Sequence, residues 1–351
     1  MKAITFCGTE HLQFETVPDP EIADGQDVIV QVQACAVCGS DLHVYHGRET
    51  GLDAHTVMGH EFCGTVVETG KSVTRWKKGD RVMSPFTSNC GSCYYCSIGL
   101  TCRCTHSRLF GWVENNNGLH GGQAEFVRVP LSDNTLVALP DDLDFETGVL
   151  LGDIIPTGFH CARRASELSS SRVRVSGVFG CGPVGLMAIL GARHSHHEKV
   201  LAFDRVASRL EWAKRLGAIP IHLNDPDMRG RVLEETEGRG LDAALEVVGS
   251  GEALRLCYDL LRPGGVISAV GVCTEKALSI SPVQAYDKNI TYSTGRCPAR
   301  HLMPELTALA RNGVFDFKSL ISHRMPLSEG VDAYARFAAR EEGMMKVMLQ
   351  P

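Results

Sequence analysis

Apolar and polar side chains alternate in short runs over the first 150 residues of the chain. The clearest run covers residues 28–34, and a shorter one covers 64–70 and ends in glycine. Residues 79–83 combine a turn with the start of a further run. A two-residue period is typical of strands that bury one face, and the glycines and prolines between the runs keep them short. The pattern predicts a β-rich domain over residues 1–153.

The pattern changes after residue 150, where apolar strand runs alternate with helical ones. The strand runs cover residues 172–180, 200–204, 241–249 and 265–271. Helical periodicity fits residues 183–193 and 208–217, and the second helix closes on a glycine. Strands that alternate with helices are typical of a doubly wound parallel sheet. We assign this sheet to residues 154–293 and expect 294–351 to complete the first domain.

Composition narrows the class of protein. The 351 residues suffice for two cores, and the net charge of −6 offers no attraction to nucleic acid or to an anionic membrane. No apolar run approaches the ~20 residues of a membrane span, and the first residues do not resemble a secretory signal. A cytoplasmic location is therefore expected, and the fourteen cysteines point to metal binding and buried thiols rather than to disulfides.

Four cysteines fall within fifteen residues, at Cys90, Cys93, Cys96 and Cys104. Zinc accepts a tetrahedral set of four sulfurs, and a site filled in this way is structural because it has no place for a substrate. Gly91 and Gly99 give the loop the backbone freedom that such a site needs. The spacing leaves Cys102 as a competing fourth ligand. A zinc-ribbon module that binds nucleic acid is an alternative interpretation, which the acidic net charge opposes.

A second zinc site of a different kind is predicted from Cys38 and His60. A catalytic zinc keeps three protein ligands and one open position. Asp153 is the best third candidate, because a thiolate and a carboxylate together neutralise the ion. Taken alone, Asp153 fits a helix N-cap or a surface acid equally well.

A dinucleotide fingerprint, Gly180, Gly182 and Gly185, follows a predicted strand and opens a predicted helix. The first glycine allows a tight turn, the second lets the backbone approach a pyrophosphate, and the third lets helix and strand pack closely. Pro183 and Val184 occupy the first helical turn, at the positive helix end that attracts the pyrophosphate.

The residue at the end of the next strand bears on the choice of cofactor. Asp204 lies near the expected separation of about 20 residues from the fingerprint, where a carboxylate accepts hydrogen bonds from ribose hydroxyls. It would also repel a 2′-phosphate, which favours NAD over NADP. Arg205 is the counter-indication, because a cation at this position could pair with that phosphate.

The motifs together resemble the medium-chain dehydrogenase/reductase superfamily. Its zinc signature is similar to Gly59-His60-Glu61 with the later Gly64, Gly70 and Val73, and its first catalytic loop is similar to residues 38–43. The four-cysteine lobe and the glycine fingerprint follow in the expected order. The resemblance implies a GroES-like catalytic domain and a Rossmann domain. It also implies a zinc-dependent alcohol dehydrogenase with two Zn²⁺ per chain, NAD as cofactor and a homotetrameric assembly.

The third ligand of the open site varies within the superfamily. Residues 153–160 resemble bacterial secondary-alcohol dehydrogenases and glutathione-independent formaldehyde dehydrogenases, in which aspartate is the ligand. The first group commonly lacks the cysteine lobe and the second is longer, so the chain fits neither fully. The resemblance favours Cys104 over Cys102 as the fourth structural ligand. Polyol or amino-alcohol oxidation, of the sorbitol or threonine type, stays open because residues 320–327 resemble that branch too.

The resemblance also implies roles for single residues. Ser40 lies beside the substrate oxygen and passes its proton through the cofactor ribose to His43, which exchanges it with solvent. Glu61 either enters the zinc shell transiently or holds the site electrostatically. Thr157 contacts the nicotinamide. The walls of an apolar pocket for small alcohols and carbonyls are assigned to Phe86, Phe110 and Trp112, with core packing as the alternative.

Overall fold

The computed structural model describes all 351 residues, Met1–Pro351. It divides into two compact units, the first made of Met1–Pro156 and Pro298–Pro351 and the second of Thr157–Cys297. The domain limits predicted from the sequence differ from these by a few residues.

The eighteen strands in chain order are β1 (Lys2–Gly8), β2 (His11–Thr16), β3 (Val28–Val37), β4 (Thr56–Val57), β5 (Phe62–Thr69), β6 (Arg81–Met83), β7 (Trp112–Glu114), β8 (Asn117–Leu119), β9 (Phe126–Val129), β10 (Val137–Ala138), β11 (Val175–Phe179), β12 (Lys199–Asp204), β13 (Ile219–His222), β14 (Leu241–Glu246), β15 (Leu261–Ala269), β16 (Thr291–Thr294), β17 (Ile321–Pro326) and β18 (Lys346–Gln350).

The twelve α-helices are α1 (Asp41–Tyr45), α2 (Tyr94–Ser97), α3 (Ser132–Thr135), α4 (Phe145–Gly152), α5 (Ile154–Leu168), α6 (Pro183–His194), α7 (Ala207–Arg215), α8 (Met228–Glu235), α9 (Gly251–Leu260), α10 (Pro282–Asp287), α11 (Ala299–Arg311) and α12 (Gly330–Ala338). Three short 3-10 helices add Thr101–Arg103, Phe317–Leu320 and Leu327–Glu329. None of these helices is both long enough and apolar enough to cross a bilayer.

The first unit is built on β-sheets. Its larger sheet has the order β10-β6-β5-β3-β18-β17, with β9 also paired to β3, and a smaller sheet has the order β2-β1-β4. The strand predicted at residues 28–34 is confirmed and extends to Val37 as β3. Val28, Val30 and Val32 are buried in the core of this unit, as their two-residue spacing requires. The chain returns to this sheet near its end, where β18 lies between β3 and β17.

The second unit contains one parallel sheet of six strands in the order β13-β12-β11-β14-β15-β16. The helix predicted at residues 183–193 is confirmed as α6, and the one predicted at 208–217 is confirmed as α7. Apolar residues of β11, β12, β14 and β15 form its core together with side chains of α9. Strand and helix alternate through the unit as the sequence predicts for a doubly wound sheet.

All fourteen cysteines are free thiols. The expectation that the nine outside the zinc motifs are buried is wrong for two of them, since Cys7 is half-buried and Cys273 is exposed. Cys7 is the penultimate residue of β1, and Cys273 lies in the loop after β15, so both are at or beyond the ends of strands rather than in the core.

Candidate zinc centres and cofactor site

Two antiparallel strands bring the candidates for the open zinc site together. Cys38 directly follows β3 and His60 lies just before β5. Because Cys35 pairs with Phe62 in this ladder, the end of one strand meets the start of the other. Asp153 arrives from a third direction, at the junction of α4 and α5, and α4 packs on both strands.

The distances between donor atoms fit a tetrahedral zinc ion. Asp153 Oδ2 lies 3.5 Å from Cys38 Sγ and 3.3 Å from His60 Nε2. Tetrahedral angles with zinc bonds of about 2.3 Å to sulfur and about 2.0 Å to nitrogen or oxygen give about 3.5 Å and about 3.3 Å for the same pairs. A carboxylate oxygen of Glu61 completes a group whose four ligand atoms lie within 4.8 Å of one another. Cys38, His60 and Asp153 therefore suit zinc both in the type of donor atom and in the distances between donor atoms.

Asp41 orients the histidine of this cluster. Its Oδ1 lies 3.1 Å from His60 Nδ1, and its Oδ2 accepts a hydrogen bond of 3.0 Å from the Cys38 amide. Burial lowers the pKa of His60, but the charges of Asp41 and Cys38 outweigh it and raise that pKa well above its usual value. A carboxylate behind a metal-binding histidine fixes the ring and its tautomer. Asp41 lies within the motif of residues 38–43, but the sequence indicates no role for it, and only the fold shows its contact with His60.

A buried ion pair lies beside the same cluster. Lys346 Nζ pairs with Glu61 Oε2 and donates a 3.1 Å hydrogen bond to the Val37 carbonyl. Both charged side chains are almost completely inaccessible. Burial raises the pKa of Glu61 to about 7, against the opposing charge of Lys346. Sequence reasoning missed Lys346, although a single lysine within an apolar strand signals a buried partner.

Ser40 and His43 stand in different surroundings. Ser40 Oγ donates to Cys38 Sγ at 3.2 Å and lies 3.4 Å from His60 Nε2, so it belongs to the cluster. His43 is buried in α1, and its Nδ1 has no hydrogen-bond partner. Burial lowers the pKa of His43, which favours the neutral ring. The family resemblance implies that this histidine exchanges protons with solvent, and only a small part of it is accessible.

The three aromatic candidates for pocket walls do not form one group. The Phe86 ring stands edge-on to His60, with ring centroids 6.4 Å apart, so it borders the cluster. Phe110 belongs to the hydrophobic core and packs edge-on against Phe62 at 5.0 Å. Trp112 lies in the β7–β8 hairpin, where its Nε1 is 3.5 Å from a carboxylate oxygen of Glu114. The contact with His60 supports a pocket role for Phe86. For Phe110 and Trp112 that role remains a prediction.

The four cysteines of the lobe also converge, and the fourth is Cys104. The sulfurs of Cys90, Cys93, Cys96 and Cys104 lie within 4.8 Å of one another, and Cys102 is not in this group. Backbone amides point at the sulfurs, including Cys90 N to Cys104 Sγ at 3.2 Å and Cys93 N to Cys90 Sγ at 3.4 Å. Burial opposes their effect, but such amides still lower the pKa of Cys90 to about 5. A preformed group of four sulfurs is what a structural zinc requires.

The glycine fingerprint has the backbone shape that its sequence predicts. Gly180 adopts φ +100°, a conformation that disfavours residues with a side chain. A Cβ on Gly185 would lie 1.9 Å from the Gly180 carbonyl oxygen, so only glycine allows the turn to approach the helix. Gly182 is the N-cap of α6, and Pro183 occupies its first turn. The amides of this helix end are oriented to receive an anion.

Asp204 closes the next strand and contacts the same turn. Its Oδ2 accepts a 2.7 Å hydrogen bond from the Cys181 amide, and its Oδ1 accepts one of 2.9 Å from the Val206 amide. A carboxylate has about four acceptor positions, so both oxygens keep capacity for ribose hydroxyls. Arg205 is exposed and forms an ion pair with Glu252. Thr157, the remaining cofactor candidate, is buried in α5.

Comparison with known proteins assigns the family. Residues 24–141 match the model of the alcohol dehydrogenase GroES-like domain, and residues 183–312 match the model of the zinc-binding dehydrogenase. The medium chain reductase/dehydrogenase ucsI of Acremonium sp. is 45% identical over 292 residues, which are 82% of this chain and 98% of the relative. Zinc-type alcohol dehydrogenase B of Aspergillus flavus is 41% identical over 351 residues, covering 97% of this chain and 79% of that protein.

A solved structure supports the same assignment. The alcohol dehydrogenase TADH from Thermus sp. ATN1 superimposes with a TM-score of 0.92 at 34% identity, over 100% of this chain and 99% of that one. The chain belongs to the zinc-dependent alcohol dehydrogenases of the medium-chain dehydrogenase/reductase superfamily, and it is an oxidoreductase. The predicted pairing of a GroES-like domain with a Rossmann-type domain is confirmed. The alternative of a zinc-ribbon module that binds nucleic acid receives no support, since the cysteine lobe lies inside the GroES-like match.

Proposed function

We propose that the protein transfers a hydride between NAD(H) and a small alcohol or its carbonyl counterpart. The observation that carries this proposal is the spacing of the Cys38, His60 and Asp153 donor atoms, which suits a tetrahedral zinc with one place left for substrate. When bound, zinc supplies Lewis-acid polarisation of a substrate oxygen.

The side chains around that place have distinct proposed tasks. Cys38 and Asp153 neutralise a dication, and Asp41 holds the His60 ring so that Nε2 faces the other donors. Ser40 Oγ accepts the proton of the substrate hydroxyl and passes it toward His43, whose neutral ring receives it. For Glu61 we favour the electrostatic role, because Lys346 already holds one of its oxygens.

One screen tests this function. Initial rates are measured with NAD and NADP against aliphatic, secondary and aromatic alcohols, the matching aldehydes, sorbitol and threonine. We expect turnover of small alcohols or carbonyls with NAD. Preferred turnover of sorbitol or threonine would select the polyol or amino-alcohol alternative. A zinc-loaded protein that turns over none of them would refute the proposed activity.

The cofactor preference depends on one charge. Replacing Asp204 by asparagine keeps an acceptor for the amide of Cys181 but removes the charge that attracts ribose hydroxyls and repels a 2′-phosphate. We expect the KM for NAD to rise about tenfold and the KM for NADP to fall, since a charge-assisted hydrogen bond is worth ~1.5–3 kcal/mol. The matched control is Arg205→Gln, which should leave NAD kinetics unchanged. An unaltered ratio of the two KM values in the Asp204 variant would contradict this role.

The proposal includes two zinc ions per chain. Two neighbouring cysteines, Cys104 and Cys102, allow a test of which one is the fourth ligand of the structural zinc. Cys104→Ser should lose one zinc equivalent and unfold at a lower temperature, because its sulfur belongs to the four-thiol cage. Cys102→Ser, two residues away and outside that cage, should keep its zinc content. Elemental analysis and thermal unfolding measure both effects, and equal zinc content in the two variants would rule out the assignment of Cys104.

A homotetrameric assembly and a cytoplasmic location, both expected from the sequence, are carried forward as proposals.

A further inference from the structure

A third cluster of metal-binding side chains lies on the small sheet of the first unit, apart from both zinc centres. We propose that Cys7, Glu15 and His55 form an additional site for a zinc-like divalent cation. Their ligand atoms lie within 4.8 Å of one another. No part of the proposed dehydrogenase function uses these residues, so the inference stands independently of it.

Strand register brings the three residues together. In the antiparallel pair of β1 and β4, Thr5 faces Val57 and Phe6 faces Thr56, so the next step places Cys7 opposite His55. On the other side of β1, Ala3 faces Glu15. Alternate residues of a strand share a face, so Cys7 lies on the same side as Ala3 and its partner Glu15. The cluster is therefore a product of the sheet.

Short contacts hold the donors around Thr5. The Thr5 hydroxyl donates a 2.6 Å hydrogen bond to Glu15 Oε1 and lies 3.9 Å from Cys7 Sγ. His55 Nδ1 lies 2.9 Å from the same oxygen of Glu15. A zinc ion between imidazole and carboxylate needs about 3.3 Å between these atoms, so a shift of a few tenths of an ångström admits it.

The backbone fixes the histidine at this place. His55 has φ +62°, in the left-handed region that few side-chain-bearing residues adopt. Its amide donates a 2.7 Å hydrogen bond to the Phe6 carbonyl, immediately before Cys7. An uncommon backbone conformation held by a strand contact presents the ring beside the thiol and the carboxylate.

The donor types select the cation. Thiolate, imidazole and carboxylate are also the donors at Cys38, His60 and Asp153, and together they suit zinc far better than magnesium or calcium. The His55 side chain is 67% exposed and that of Glu15 is 29% exposed, so an ion can enter from solvent and complete its shell with water. The nearby pair of His46 and Glu10, at 3.0 Å, offers the same imidazole and carboxylate without a thiolate.

The test counts zinc in the full-length protein. Purified protein is equilibrated with zinc against a chromophoric chelator, and zinc is measured per chain by elemental analysis. We expect three equivalents in the unaltered protein and two in Cys7→Ser and in His55→Gln. Binding of the third equivalent should weaken at least about hundredfold in each variant, because even an indirect partner of a ligand contributes 10–100-fold.

Two variants serve as matched controls. Cys273→Ser removes an exposed thiol elsewhere, and His46→Gln breaks the pair that has no thiolate; both should keep three equivalents. A Cys7 or His55 variant that binds as many equivalents as the unaltered protein would overturn the proposal, whatever the total. Cys38→Ser separates this result from the dehydrogenase assignment, since it should lose its own equivalent and keep the one at Cys7.

Discussion

Cys38→Ser should lower kcat/KM at least about a thousandfold and remove one zinc equivalent from the protein. The thiolate is one of three donors that converge on the proposed catalytic ion, and a serine hydroxyl is a poor replacement for it. Lewis-acid polarisation is worth several kcal/mol, and each ~1.36 kcal/mol is a factor of ten in rate. Initial rates with the best substrate and zinc analysis of the same sample measure the two effects together.

The matched control, Cys35, lies three residues earlier, near the end of β3. Like Cys38, Cys35 is buried, but its sulfur contacts the Leu349 carbonyl at 3.7 Å and is not in the metal cluster. Cys35→Ser keeps a donor for that carbonyl and should keep both zinc and activity. Full activity with unchanged zinc in the Cys38 variant would refute the assignment of the open site.

Lys346→Met should destabilise the first unit by about 3 kcal/mol or more. The substitution keeps the length of the side chain but leaves Glu61 buried without its partner, and removal of one member of a buried ion pair typically costs ~3–5 kcal/mol. Denaturant unfolding followed by a probe in this unit measures the change in the free energy of unfolding.

A double variant isolates the charge effect from lost packing. Glu61→Gln combined with Lys346→Met removes both charges, so most of the stability lost in the single variant should return. If the double variant is as unstable as Lys346→Met alone, the side chain matters for its packing and not for its charge.

Part of the pattern of strands and helices could be predicted from the sequence, because the signals for those elements are local. A two-residue period identifies β3, and a glycine turn between a strand and a helix identifies the start of α6. The convergence of Cys38, His60 and Asp153 was also expected, from the donor types of the side chains and, for Asp153, chiefly from the resemblance to a family. The spacing of residues alone does not identify Asp153 among the acidic residues as the third ligand of the open site, or Cys104 rather than Cys102 as the fourth ligand of the structural site.

The remaining features depend on tertiary neighbours. Asp41 acts on His60 and Lys346 on Glu61 only because distant segments meet, and nothing in the local sequence names the partner. Phe110 illustrates the same limit. An aromatic side chain is equally suited to a pocket wall or to a core, and the contact between Phe110 and Phe62 shows core packing, which the sequence pattern could not distinguish from a pocket role. The cluster at Cys7 arises from strand register, which the sequence pattern did not define.

The position of β18 determines which parts of the first unit are present at each stage of translation. Residues 157–297 of the second unit are translated after Cys38, His60 and Asp153 but before Lys346. A nascent chain that has just completed the second unit therefore already holds all three metal donors. However, β18 is not yet present beside β3, and the Glu61 carboxylate lacks its partner Lys346. The residues of the second unit are thus all translated before the first unit is complete, because its larger sheet receives β17 and β18 from the last part of the chain.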